Sequence, residues 1–232
     1  MLFKNLIGAQ MSGSVGGIVA SHNAGGAYFR IRATPTNPNS PQQVLVRAAF
    51  ASLSVQWVNG LIQGQRDTWD TYAGNVPVVN RIGEQVNVSG LSMFVRNNTA
   101  RVAQGIPAIT DAPVIFTNAP FLPQGVSAAS EAAQTVDVPF LTIPLTAPWA
   151  EQSDSFLLVY VSAPQNVTIN FFKGPFRFAG AQEGDATPPA SPFVVNAPIP
   201  ILEGQKLFVR QQVVQADGRI SGAFISSVII AA

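Results

Sequence analysis

"WVNGLIQGQRDTWDTYAGN" (residues 57–75) carries two of the chain's three Trp residues, one Tyr, one Arg and two Asp. Such a cluster fits a sugar-binding or catalytic site, or the packing face of a helix hairpin. Helical phase separates the two readings. Trp69, Tyr72 and Ala73 share one side of a helix expected over residues 63–73, while Arg66 and Asp70 form an i, i+4 pair outside that face. Asn59–Gly60 ends the preceding helix, and Gly74 is expected to close the second one.

The preceding helix is expected over residues 41–58. Ser40 serves as N-cap, Pro41 sits at the first helical position, and Gln43 completes a capping box. Val46, Phe50, Leu53 and Trp57 recur at helical spacing and form its stripe. A third helix, capped by Ser89, is expected over residues 90–104, with a stripe of Leu91, Phe94, Val95, Asn98 and Val102; Gly105 and Pro107 end it. Phe50, Trp57, Trp69, Tyr72 and Phe94 are therefore read as structural core. Each large ring can bury about 150–250 Å².

Upstream, "SGSVGGIVASHNAGGAYFRIR" (residues 12–32) reads as a β-hairpin, with β-prone runs at residues 18–21 and 27–32 around "HNAGG". Its "GSVGG" lacks the Lys and Ser/Thr of a phosphate-binding loop. The Pro-rich residues 33–41 form an extended linker. From residue 110 onward, seven or eight β-prone runs alternate with Pro, Gly and Asn, no helix is expected, and Asp217–Gly218 marks a hairpin tip. The expected fold is α+β: an N-terminal β-hairpin and three-helix docking unit over residues 1–107, then an antiparallel immunoglobulin- or fibronectin-III-like β-sandwich over residues 108–232.

Composition narrows the chemistry. Hydrophobic residues make up 47% of the 232 and charged residues only 11%, so the chain folds but presents a weakly charged surface, as suits a member of an assembly. It has no Cys and one His, which excludes disulfides, thiolate sites and multi-histidine metal centres. Residues 1–105 hold eight Lys or Arg against three Asp or Glu, a balance of +5; residues 106–232 hold five against nine, a balance of −4. The asymmetry fits two domains and head-to-tail contact between copies. The apolar run in "MLFKNLIGAQM" is too short for a secretory leader, and no run approaches the roughly 20 residues of a membrane span.

Catalytic patterns are weak. Asp67 and Asp70 share a helix face, but Arg66 stands ready to neutralise Asp70. His22 lies at the hairpin turn, with no G-x-S-x-G elbow to support a triad. "GDAT" and "DG" lack the spacing of a calcium loop. No cofactor, metal site or catalytic residue is expected. Arg30, Arg32 and Arg47 are too few for a nucleic-acid stripe. Together with Tyr28 and Phe29 they suit assembly contacts with an acidic protein surface.

The Gly-rich hairpin, the "P-x-N-P-N-S-x-x-Q" linker, "L-x-x-x-Q-R-x-x-W-x-x-Y-A" and "SG-x-x-x-F-x-x-N" together resemble a poorly characterised family of phage and prophage gene sets, over about residues 10–105. That family places Thr or Ser after the motif's Leu; this chain has Ile62 there and Gly64 soon after. The resemblance implies a non-enzymatic virion structural protein, assembled in the host cytoplasm and favoured as a capsid decoration or cement component. Expected partners are further copies of the chain or other capsid or tail proteins, with no membrane. The alternative is a tail, fibre or adhesin role, with carbohydrate or a host receptor as ligand.

Overall fold

The computed structural model describes residues 2–3, 12–23, 26–34, 36–37, 39–79, 83–103, 105–142 and 148–232. Ala24 and Gly25 of the expected hairpin turn, Pro35 and Pro38 of the linker, Ile82 and Gln104 lie outside them. The chain divides by compactness into residues 1–41 and 42–232.

The first unit is a four-stranded antiparallel sheet of β1 (Leu2–Phe3), β2 (Gly13–Val15), β3 (Ile18–Asn23) and β4 (Gly26–Ile31), in the order β1-β4-β3-β2. The expected hairpin is β3–β4, with Ile18 opposite Ile31 and Asn23 opposite Gly26. The "GSVGG" glycines make a second hairpin. Gly16 and Gly17 join Val15 to Ile18, and Gly16 holds a φ of 58° at the first turn position, where a tight hairpin turn favours glycine.

The second unit opens with three helices, α1 (Pro41–Asn59), α2 (Gln63–Asn75) and α3 (Gly90–Ala103). Leu53, Leu61, Trp69, Tyr72, Ala73, Met93 and Phe94 form their buried core. The Trp69 ring meets Phe94 edge-on at 5.4 Å and donates its indole N–H to the Thr110 carbonyl at 2.8 Å. Trp57 is half-buried against Phe94, with ring centres 5.6 Å apart. Phe50 departs from expectation: it is 57% exposed, because Ala49, not Phe50, accompanies Leu53 inward. The capping box also fails, since Gln43 Oε1 is buried without a partner. Gly74 does not cap α2, which runs on to Asn75. Ser89 does cap α3, its Oγ accepting from the Ser92 N–H. The short strands β5 (Val78–Val79) and β6 (Gln85–Val86) pair between α2 and α3.

The remaining strands are β7 (Ala128–Ser130), β8 (Thr135–Val138), β9 (Phe156–Ser162), β10 (Phe176–Glu183), β11 (Phe193–Asn196), β12 (Lys206–Val214) and β13 (Phe224–Ile229). They form two antiparallel sheets, β11-β8-β7 and β10-β9-β12-β13, whose facing residues make one core. Strict alternation along β8 puts Val136 and Val138 inside, opposite Leu157, Val159 and Val161 of β9 and Leu207, Val209 and Val213 of β12. This is a mixed α+β chain with a β-sandwich, as the strand pattern implies. A short 3₁₀ helix, Pro148–Glu151, was not expected; it buries Trp149 against Phe140. One of the expected β-prone runs, "VTINFF" (residues 167–172), is not a strand, because Asn166 Oδ1 accepts from both the N–H and the hydroxyl of Thr168 and turns the chain away.

The expected division near residue 107 falls inside this second compact unit. Asn98 is buried and clamps Ile109 by accepting its N–H and donating to its carbonyl. Arg101 donates to the Asp154 carbonyl, just ahead of β9. Ala100 and Ile106 pack on Phe156, Leu158, Val214 and Ile220, covering part of the sandwich's outer face. Helices and sandwich therefore share buried surface that a free linker would leave in water.

Candidate functional site

The residues expected to make assembly contacts do not share one surface. Paired residues in β2, β3 and β4 point to the same side, and successive residues to opposite sides. Phe29 therefore joins Val15, Ile18, Ala20 and Ile31 on one face, whereas Tyr28 and Arg30 join Ser14, Val19 and Ser21 on the other. The first face is apolar and open: Val15 is 85% exposed and Ile31 84%. Arg32 follows β4 and is exposed, its N–H donated to the Gly17 carbonyl. Arg47 belongs to α1 in the other unit.

A second apolar surface lies on α1. Ala49, Leu53 and Trp57 turn inward, yet Val44, Ala48, Ala51, Val55 and Val58 are all exposed. Their spacing of four, three, four and three places them along one line, roughly 140–220° around the helix from Leu53. That is the heptad spacing of a helix–helix seam, with small residues that allow close approach. Arg47 is the one charged side chain in the helix. A helix apolar on all sides is ordinarily buried on all sides. The stripe was legible in the sequence, but the inward Leu53 stripe has the same periodicity, and only packing distinguishes them.

The motif L-x-x-x-Q-R-x-x-W-x-x-Y-A is resolved residue by residue. Leu61, Trp69, Tyr72 and Ala73 are buried. Gln65 Oε1 accepts the Ile62 N–H at the start of α2. Arg66 does not pair with Asp70. It donates to the carbonyls of Trp57 and Val58, closing the end of α1, and to that of Leu61. Asp70 instead accepts the Gly90 N–H at the start of α3, at 2.9 Å, where the helix dipole favours a carboxylate. Asp67 accepts from Gln63. Asp70 thus ties α2 to α3, Asp67 braces α2 within itself, and the aromatic cluster is the core of the helices.

Tyr72 shows the cost of that burial. Loss of hydration raises its pKa above the ordinary 10.0, against a smaller opposing pull from the adjacent Asn97 amide. Both polar atoms of the Asn97 side chain are buried without full hydrogen-bond geometry. His22 stands in β3, opposite Ala27. Among the described residues, no three His, Asp or Glu side chains gather as metal ligands, and no helix is long and apolar enough to cross a membrane. No protein-family model matches the chain, and no curated protein matches it.

Proposed function

We propose that this chain is a non-enzymatic structural protein of a phage-type virion, repeated on the particle surface as a decoration or cement component. The observation that supports this most is the outward stripe of α1, five small apolar residues in seam spacing on a helix with a single charge. Exposed apolar surface arranged in register is what an assembling subunit covers on assembly. The open face of the N-terminal sheet is a second such surface. Among the described residues, edge strand β2 pairs on one side alone, so a neighbour could extend the sheet there. The phage assignment itself rests on the motif resemblance over residues 10–105.

The test is sedimentation of the full chain over a range of concentrations. Wild type should associate. Val55→Glu, at an exposed position of the seam, should shift the chain to monomer with an unchanged circular dichroism spectrum. A wild-type chain that stays monomeric at all concentrations, and does not bind purified shells, would refute the reading.

A further inference from the structure

A cleft of about 300 Å³ lies between α3 and the outer face of the sheet that β9 and β12 share. Its floor is apolar, made by Leu158, Phe178 and Val214; its polar lining includes Arg96 from α3, Tyr160 from β9 and Arg210 from β12. The two guanidiniums are poorly compensated. Arg210 donates Nη2 to Gln212 Oε1 at 3.0 Å and lies over the Tyr160 ring at 5.5 Å, but its Nε is buried with no acceptor. Arg96 reaches only the Met93 sulfur, at 3.8 Å, a weak acceptor. Among the described residues the ion pair is Arg219–Asp217, so no carboxylate neutralises either arginine. Loss of hydration lowers the pKa of Arg96; nearby Tyr72 opposes this in part, and the positive charge of Arg210 adds a smaller lowering.

Two cations that line one cleft with no acid between them, one of them with a buried Nε that has no acceptor, are an unfavourable arrangement for the empty protein. An anion that enters the cleft removes the repulsion. We propose that this cleft binds a carboxylate carried on a short apolar body, held by Arg210 and Arg96 and by the Tyr160 hydroxyl. The planar carboxylate matches the guanidinium fork, and the apolar body lies on Leu158, Phe178 and Val214. Inorganic phosphate and sulfate have the charge but nothing to place on that floor. The pocket has the size of a small-ligand site and is separate from the α1 seam, so its test is independent of the assembly reading.

The experiment is calorimetric titration of the full chain with hexanoate, hexanamide and inorganic phosphate. Hexanoate should saturate one site per chain, hexanamide should not, and phosphate should bind more weakly. Arg210→Met and Arg96→Gln should each weaken hexanoate by about tenfold or more, as expected for loss of a charged hydrogen bond. Arg96 is exposed on α3, so its variant carries the comparison should Arg210→Met fail to fold. Absence of saturation, equal binding of hexanamide, or unchanged affinity in Arg96→Gln overturns the proposal. Saturation by phosphate without hexanoate overturns the assignment of a carboxylate.

Discussion

Gly90→Ala tests the helix hairpin at its tightest point. By helix propensity alone, Ala should stabilise a helical position over Gly by about 1 kcal/mol. Gly90 is the first residue of α3, and it lies directly against α2. A Cβ there would stand 2.8 Å from the Asp70 backbone nitrogen and nearer still to the Asp70 carboxylate oxygen. That backbone is anchored by the buried Trp69, so α2 cannot withdraw without opening the core. Overpacking costs about 1–3 kcal/mol. Losing the Gly90–Asp70 hydrogen bond, whose acceptor is charged, costs about 1.5–3 kcal/mol. Against the propensity gain, the net is a destabilisation of about 1.5–5 kcal/mol.

Gly74→Ala is the control. It lies in α2 without a positive φ, and nothing stands within 4 Å of an added Cβ. It should stabilise by about 0.5–1 kcal/mol. Urea unfolding followed by Trp fluorescence should therefore move the two midpoints in opposite directions at constant slope. A Gly90→Ala midpoint at or above wild type would refute the close-approach reasoning.

Three further outcomes follow from the same hairpin. Ile62 occupies the N-cap of α2 in an extended conformation, 69% exposed and without a side-chain cap bond, so Ile62→Thr should raise the urea midpoint by roughly 1 kcal/mol of stability. Trp69→Ala should cost about 3–5 kcal/mol, and a variant of undiminished stability would show that the ring is not core. Tyr72 holds its proton more tightly when folded than when unfolded. Its contribution is therefore complete below about pH 10 and declines as pH rises through the raised folded value. Tyr72→Phe should show a shallower loss of stability above pH 10 than wild type, measured by thermal unfolding across that range.

The sequence by itself determined the elements whose signals are local. Asn and Gly punctuation placed the β3–β4 hairpin, Ser89 placed the start of α3, and the i, i+3, i+4 recurrence of Trp69, Tyr72 and Ala73 marked the buried side of α2. Recurrent β-prone runs between Pro, Gly and Asn announced the sandwich. Tertiary structure decided the rest, because those outcomes depend on which neighbour arrives. Phase grouped Phe50 with Leu53, about 60° away around α1, and could not show that this flank would stay open. Local spacing suggested an Arg66–Asp70 pair; in the fold each side chain turns to the unsatisfied end of a different helix, where a charge meets several backbone groups at once. Nothing in the sequence separation of Arg96, Tyr160 and Arg210 hinted at a shared cleft. They meet because α3 lies along the outer face of the sandwich, a contact made by side chains far apart in the chain.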